Sequence, residues 1–202
     1  MRELLLAGRR RVREVLVSTD RDDSPVLEDI RELAAQLNVP VHEVGRSKLA
    51  AVARTTAHQG VVARAAPVEE LELDDLLADR GAGAPFLLAC DGITDPGNLG
   101  ALLRTAESAG VTGVVLPRHR SVHITPAVTK AAAGAVEHLR FALVGGLPAA
   151  LARASDHGVL VIGLDMDGET SIHALPPVDG PVAVVTPGRS WLTPDRYFRH
   201  TW

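Results

Sequence analysis

A stretch of polar and small residues in the middle of the chain carries the side chains best suited to chemistry. Residues 91–116 read Asp-Gly-Ile-Thr-Asp-Pro-Gly-Asn-Leu-Gly-Ala-Leu-Leu-Arg-Thr-Ala-Glu-Ser-Ala-Gly-Val-Thr-Gly-Val-Val-Leu. Asn98 supplies an amide and Arg104 a guanidinium, which carries five N–H donors and is effectively always protonated. Gly97 and Gly100 alone would indicate only a turn that tolerates a phosphate. The whole pattern predicts a site that binds a polar or anionic ligand.

The elements around this stretch form a βαβ unit. Residues 86–89 are apolar and predict a strand that ends where the polar residues begin. Four apolar residues then recur at the spacing of one helix face: Leu99, Leu102, Leu103 and Ala106. Gly110 ends this helix and residues 111–116 predict the next strand. Ligand sites in α/β sheets lie at the carboxyl ends of strands, where Asn98 falls, and Arg104 projects away from the apolar face.

Two segments resemble a known enzyme family. The order Asp-Pro-Gly-Asn-x-Gly-x-x-x-Arg-Thr-Ala at residues 95–106, followed by Gly-Val, resembles the first motif of the SpoU/TrmH RNA ribose 2'-O-methyltransferases, which belong to the SPOUT class. The sequence Lys-Ala-Ala-Ala-Gly-Ala-Val-Glu at 130–137 resembles the second segment of that family. The resemblance implies S-adenosylmethionine as methyl donor, rRNA as substrate and a homodimer. It is closest to the enzymes that methylate a guanosine of large-subunit rRNA.

The resemblance implies a catalytic role for Arg104. A ribose 2'-hydroxyl is a poor nucleophile, so the enzyme must position it and stabilise the charge that develops on its oxygen. Because a guanidinium is always protonated, we expect Arg104 to hold the adjacent phosphate and stabilise the forming alkoxide rather than act as a base. The alternative is a surface ion pair with Glu107, which would be worth only a few tenths of a kcal/mol.

Two further residues are implied as catalytic. We expect Asn98 both to cap the motif helix and to orient groups in the active site; Asp95, followed by Pro96 at the first helical position, is also a candidate cap. Glu137 could orient Arg104 from across the site or be an ordinary acid at a helix end. Small residues at 131–135 would let the helix predicted at 126–135 approach the sheet closely.

The charge of the chain is low overall and uneven locally. The net charge of −4 and a pI near 6.0 argue mildly against a nucleic-acid ligand. Basic side chains nevertheless cluster near the start of the chain and in the loop after residue 116. From these clusters we predict five RNA-binding residues, with a solvated surface as the alternative reading: Arg9, Arg10, Arg11, Arg118 and Arg120.

The order of predicted elements indicates an α/β protein with two domains. Residues 1–66 resemble the small domains related to ribosomal protein L30e that dock RNA, partly through the string His-Gln-Gly-Val-Val-Ala at 58–63. An acidic segment at 67–84 is predicted as a short helix and linker. Residues 85–202 alternate strands and helices, including a predicted helix at 126–135, and so predict a SPOUT-type domain with a parallel sheet.

Composition indicates a cytoplasmic protein without metal or membrane partners. Cys90 is the only cysteine, so an internal disulfide is excluded and a reducing compartment is natural. No apolar run approaches membrane-spanning length, and no signal peptide is evident. His119 and His123 stand four residues apart, but no third metal ligand is apparent.

The resemblance ends near residue 185. The family's cofactor-binding motifs would follow, but the chain reads Thr-Pro-Gly-Arg-Ser-Trp at 186–191, and residues 191–202 have neither a helical nor a strand period. We therefore assign no cofactor-binding residue, and we expect an incomplete C-terminal knot and a truncated chain that is inactive or nearly so. The alternative to an active methyltransferase is a protein that binds rRNA without catalysis.

Overall fold

A computed structural model describes residues 1–53, 58–78, 83–165, 168, 170–187 and 196–199. The chain divides into two compact units, which we call unit 1 (residues 1–68) and unit 2 (residues 69–202). Within the described part of the chain, no helix has both the length and the apolar character needed to cross a membrane.

Unit 1 is a three-stranded sheet with helices on both faces. Its elements are α1 (Arg2–Ala7), β1 (Val12–Ser18), α2 (Pro25–Gln36), β2 (Val41–Val44), α3 (Arg46–Ala53) and β3 (Val61–Ala65). The strand order is β2-β1-β3, with β2 parallel and β3 antiparallel to β1. Pro40 directly precedes β2, which lies at the edge, where a missing N–H is tolerated.

The central strand of unit 1 is buried on both sides. Val15 and Val17 pack under α2, whose buried residues are Leu27, Ile30 and Ala34. Leu16 points to the other side and packs with Leu49 of α3 and with Val44. Because successive side chains of a strand alternate between faces, β1 separates α2 from α3.

Unit 2 is built on a largely parallel sheet. Its elements in chain order are β4 (Glu70–Leu71), α4 (Leu73–Ala78), β5 (Phe86–Asp91), α5 (Pro96–Ser108), β6 (Gly113–Pro117), α6 (Pro126–Ala131), a 3₁₀ turn (Ala135–Glu137), β7 (Phe141–Val144), α7 (Leu147–Asp156), β8 (Leu160–Leu164), β9 (Thr170–Ser171), a second 3₁₀ turn (Ile172–Ala174), β10 (Val182–Pro187) and β11 (Arg196–Arg199). The strand order is β4-β7-β6-β5-β10-β8-β11-β9. The first six of these strands are parallel, as the sequence predicted, whereas β11 is antiparallel to β8 and β9.

Two segments differ from the sequence-based expectations because of their packing. Within the short helix and linker expected at 67–84, α4 confirms the helix, but β4 pairs with β7, and the buried Leu73, Leu76 and Leu77 of α4 join the core of unit 2. The tail expected to lack a regular element contains β11, whose backbone pairs with that of β8. In both cases the tertiary partner, rather than a local period, stabilises the element.

The helix expected at 126–135 is shorter than predicted. Thr125 caps its start by accepting a hydrogen bond from Val128 N at 3.3 Å, and α6 ends at Ala131. Ala133 and Gly134 then adopt positive φ angles of 52° and 110°. A left-handed backbone cannot continue a right-handed helix, so the chain turns here into the 3₁₀ turn that holds Glu137.

Helices α5 and α6 approach each other closely at Gly100. A Cβ atom placed on Gly100 would lie 2.7 Å from the carbonyl carbon of Ala131 and 2.8 Å from the backbone nitrogen of Ala132. Atoms of this kind do not approach so closely, and the backbone of α6 has no flexible end that could move aside. The absence of a side chain at Gly100 therefore sets the distance between the two helices.

We expect Gly100→Ala to destabilise the chain. The added methyl group must push α6 away, and overpacking of this kind costs about 1–3 kcal/mol of the free energy of unfolding. Chemical denaturation of both variants measures the loss. Gly145→Ala is the control, because a Cβ at Gly145 meets nothing within 4 Å; an equal stability for the two variants would contradict the assigned contact.

Candidate functional site

The motif helix begins at a well-formed cap. Asp95 accepts a hydrogen bond from the backbone nitrogen of Asn98 at 2.7 Å, and Pro96 occupies the first helical position. The expectation that Asn98 caps the helix is thus wrong, because Asp95 performs that role. The Asn98 side chain is exposed and makes no hydrogen bond with a described residue, so its amide remains available to a ligand.

Arg104 projects from α5 into solvent. Leu99 and Leu103 are fully buried, Ala106 is 5% exposed and Leu102 is half-buried, which confirms most of the predicted apolar face. Arg104 lies one turn after Gly100, and residues four apart share one side of a helix. Its guanidinium makes no hydrogen bond or ion pair with any residue that the structure describes, so it is joined neither to Glu107 nor to Glu137. The surface pair with Glu107, the alternative reading of this arginine, is absent.

Glu137 lies in the 3₁₀ turn that packs against α5, and it is only 4% exposed. An ordinary acid at a helix end would be solvated, because a buried carboxylate is costly unless it is compensated. The burial therefore disfavours the reading of Glu137 as an ordinary helix-end acid. Its role in orienting Arg104 stays a prediction.

The loop after β6 is fastened to the loop that precedes α5. The carbonyl oxygen of Ile93, a residue 1% exposed, accepts hydrogen bonds from the backbone nitrogen of Val122 at 2.8 Å and from the Ser121 hydroxyl at 3.2 Å. We call these two hydrogen bonds the Ile93 latch. They place residues 118–123 beside the loop that carries Asp95 and leads to Asn98.

The basic side chains of this fastened loop differ in their contacts. Arg118 donates from Nε to the carbonyl oxygen of Leu143 at 3.2 Å, and His123 Nε2 lies 3.2 Å from the carbonyl oxygen of Arg118. Arg120 adopts a positive φ of 60°, is exposed and makes no side-chain hydrogen bond with a described residue. The hydrogen bond from Nε thus holds the Arg118 side chain in place, whereas the Arg120 side chain is exposed to solvent. No three metal-ligating side chains come together in the described parts of the chain.

The predicted RNA-binding residues of unit 1 lie at the start of β1. Arg9 and Arg11 are exposed, whereas Arg10 is half-buried and donates from Nε to the carbonyl oxygen of Ala66 at 2.7 Å. Ala66 also donates from its backbone nitrogen to Arg11 O at 2.9 Å. Arg10 therefore holds the two ends of unit 1 together, and this structural contact accounts for part of the basic run.

A cavity at the carboxyl edge of the unit 2 sheet was missed by the sequence reading. It has a volume of about 240 Å³ and is lined by residues from β5, β8, β10 and the first turns of α7: Asp91, Leu147, Pro148, Leu151, Val161, Gly163 and Val185. Among the described residues of this lining Asp91 is the charged one, and it is also the first residue of the polar stretch at 91–116. Sequence reasoning missed the cavity because its walls come from four elements that are far apart in the chain.

Cys90 lies in the buried interior of the sheet, next to Asp91 of the cavity lining. The thiol is fully buried at the end of β5, beside Thr186 of β10 in the sheet register. Burial raises the pKa of the Cys90 thiol to about 12, and the Thr186 side chain offsets a smaller part of that rise. A thiolate is the reactive form of cysteine, so Cys90 is excluded as a nucleophile at neutral pH.

Two family models match the chain. The model described as SpoU rRNA Methylase family matches residues 85–186, and the model described as RNA 2'-O ribose methyltransferase substrate binding matches residues 2–71. The first match contains the motif, the Ile93 latch and the cavity.

Curated relatives match over most of the chain. It is 40% identical over 180 residues to the 23S rRNA (guanosine-2'-O-)-methyltransferase RlmB of Xylella fastidiosa, which covers 88% of this chain and 71% of that protein. It is 39% identical over 167 residues to the protein of the same name from Pseudomonas putida, which covers 81% and 66%. The chain thus spans about two thirds of the length of these relatives.

Solved structures share the fold. An rRNA methyltransferase from Sinorhizobium meliloti superposes with a TM-score of 0.69 at 21% identity, covering 96% of this chain and 71% of that one. The SpoU methyltransferase AviRb from Streptomyces viridochromogenes, crystallised with the cofactor AdoMet, has a TM-score of 0.71 at 18% identity, covering 94% and 71%. These similarities confirm the predicted α/β fold with a parallel sheet.

We expect Cys90 to resist thiol reagents in the folded chain. An unfolded cysteine has a pKa of about 8.5, so the stability gained by burying the neutral thiol is complete below about pH 8.5. It is lost as the pH rises towards the folded value of about 12. A chromogenic disulfide at pH 8 should therefore modify the chain only after denaturant is added. Fast modification of one thiol in the native chain would contradict the burial of Cys90.

Proposed function

This chain belongs to the SpoU rRNA methylase family, and we propose that it transfers a methyl group from S-adenosylmethionine to a ribose 2'-hydroxyl of rRNA. The observation that carries the proposal is the position of Arg104. Its unengaged guanidinium stands on a helix that begins at the carboxyl edge of the sheet, where Asp91 also lines a cavity. The names of the relatives support a guanosine of 23S rRNA as the target.

The cavity fits part of the methyl donor by its chemistry. S-adenosylmethionine carries the transferable methyl group on a cationic sulfonium. Leu147, Leu151 and Val185 offer apolar walls to an adenosyl group, and Asp91 offers an anion to a cationic or hydroxyl-bearing part of the ligand. Ligand pockets typically measure about 300–1,000 Å³, so a cavity of about 240 Å³ holds a portion of the donor.

Arg104 would act on the RNA. A guanidinium that keeps its proton can bind a phosphate with two parallel hydrogen bonds and lower the energy of negative charge on a nearby oxygen. We assign both tasks to Arg104, with Asn98 offering an amide at the start of the same helix. Glu137, in the 3₁₀ turn that packs against α5, would help to orient Arg104 by positioning the helix that carries it. Arg118 and Arg120, held by the Ile93 latch, would contact the RNA backbone beside the reacting nucleotide.

Two expectations from the sequence remain proposals. The homodimer implied by the family resemblance is tested by sedimentation of the chain in solution. The expected inactivity rests on residues 186–202, of which residues 188–195 and 200–202 lie outside the described part of the chain. Radiolabelled methyl incorporation into an unmethylated 23S rRNA transcript tests the proposed function and this expectation together. Incorporation supports a methyltransferase, whereas RNA binding without incorporation supports the non-catalytic alternative.

We expect Arg104→Ala to reduce methyl incorporation at least about a hundredfold, because one donor to a developing charge contributes a factor of about 10²–10³. If the unaltered chain is inactive, the comparison is made in a version whose residues 186–202 are replaced by a family-like ending. The fold should remain intact, since the side chain is exposed and unengaged. Incorporation under single-turnover conditions is the measurement. Glu107→Ala is the control and should retain normal incorporation, because no Arg104–Glu107 pair exists. Normal turnover by Arg104→Ala would contradict the assignment.

We expect Asp91→Asn to weaken binding of S-adenosylmethionine about tenfold, because the cavity then loses the charged group of its lining. Isothermal titration of the donor into each variant measures the change. Asp156→Asn is the matched control, because Asp156 is exposed at the end of α7 opposite to Leu147. Equal dissociation constants for the two variants would show that the donor does not use this cavity.

A further inference from the structure

Unit 1 separates its charged residues between the two faces of its sheet. The sequence of residues 1–68 contains 11 Lys and Arg against 9 Asp and Glu, whereas residues 69–202 contain 10 against 16. Unit 1 is therefore net positive in a chain that is net negative. Because α2 and α3 pack on opposite faces of β1, the charges on these helices lie on opposite surfaces of the unit.

The surface formed by α2 is acidic. Glu28, Asp29 and Glu32 are exposed on this helix. Its one cation, Arg31, is already engaged with two acids, at 2.8 Å from Asp23 and 3.1 Å from Glu43. An RNA backbone would be repelled by this surface.

The surface formed by α3 is basic. This helix reads Arg-Ser-Lys-Leu-Ala-Ala-Val-Ala and contains no acid. Arg46 and Lys48 are exposed, and neither makes an ion pair with a residue that the structure describes. Arg64 of β3 adds a third cation, whose side chain is 57% exposed and lies 3.0 Å from Glu14. That contact orients the Arg64 guanidinium while leaving much of it accessible.

A groove runs between α3 and β3 on this basic surface. Its volume is about 450 Å³, and its lining combines apolar or small residues with two cations: Lys48, Ala51, Val52, Val62, Ala63 and Arg64. Lysine is depleted from protein–protein interfaces although arginine is enriched there, and both residues contact nucleic-acid phosphates. The positive charge of the groove and the presence of Lys48 thus favour a polyanion over a protein segment.

We propose that the groove between α3 and β3 is the surface through which unit 1 binds the phosphate backbone of its RNA, with Arg46, Lys48 and Arg64 as the contacting cations. The inference rests on the proposed function in taking RNA as the substrate. It locates the main RNA contact of unit 1 away from Arg10, whose Nε donates a hydrogen bond to the carbonyl oxygen of Ala66. The acidic α2 surface then faces away from the RNA.

The double variant Arg46→Gln/Lys48→Gln tests this placement. We expect its dissociation constant for an unmethylated 23S rRNA transcript to rise about tenfold near physiological salt. The slope of the logarithm of affinity against the logarithm of salt should fall by about 1.4–1.8, since each lost phosphate contact removes about 0.7–0.9. Binding is measured with the full chain across a series of salt concentrations.

Two control variants show whether an effect on RNA binding comes from the position of the lost charges, from the total charge or from a disturbed fold. Arg2→Gln/Arg31→Gln removes the same charge from the α1 and α2 side, where both arginines form exposed ion pairs that contribute little to stability. We expect it to leave the RNA affinity within about twofold of the unaltered chain. Arg46→Lys/Lys48→Arg keeps the charge of the groove and should keep both the affinity and the salt slope.

The outcomes distinguish the groove from the proposed function. Equal affinities for the two charge-removing variants, or failure of the unaltered chain to bind the transcript, would contradict the proposal that the groove binds RNA. An altered mass in solution with unchanged RNA affinity would indicate a protein contact and would also overturn it. Methyl incorporation at saturating RNA is measured in parallel. Its absence, with the expected pattern of affinities, contradicts the proposed function and supports the groove.

Discussion

The hydrogen atom of Gly100, where any other residue would have a side chain, allows α5 to pack directly against the backbone of α6. This contact determines more than the stability of unit 2. Arg104 lies one turn further along the same side of α5, and the chain after α6 turns back through Ala133 and Gly134 to bring Glu137 against α5. A wider separation would move this turn and change the surface next to the guanidinium. The close approach of the two helices therefore determines where the Arg104 side chain lies.

The remaining parts of the site are held by backbone groups at the carboxyl edge of the sheet. The Ile93 carbonyl fastens the basic loop after β6 to the loop before α5, and Asp95 fixes the start of the helix. Asp91 ends β5 and lines the cavity, four residues before the motif begins at Asp95. Parallel strands place such loops side by side, so the fold brings the helix that carries the exposed Arg104 and a recess of about 240 Å³ to one edge of the sheet.

Local sequence patterns predicted much of this arrangement. The apolar period of α5, the Asp-Pro start and the alternation of strands and helices were sufficient for the βαβ unit, and the family drawn from the motif is confirmed. The patterns predicted too long a helix for α6. The alanines after Lys130 favour a helix, but the left-handed backbone at Ala133 ends it. The patterns missed β4 and the cavity, since a two-residue strand and a recess walled by four elements depend on distant partners. They offered both Asn98 and Asp95 as caps of this helix, and the structure confirms Asp95.

We infer that the cavity beside Asp91 and the motif helix serve one reaction. A crystal structure of the chain grown with saturating S-adenosylmethionine tests this inference. We expect density for the adenosyl group between Leu147 and Val185, in the recess lined by β5, β8, β10 and α7. An ordered donor elsewhere on unit 2, or a recess that stays empty at saturation, would contradict it.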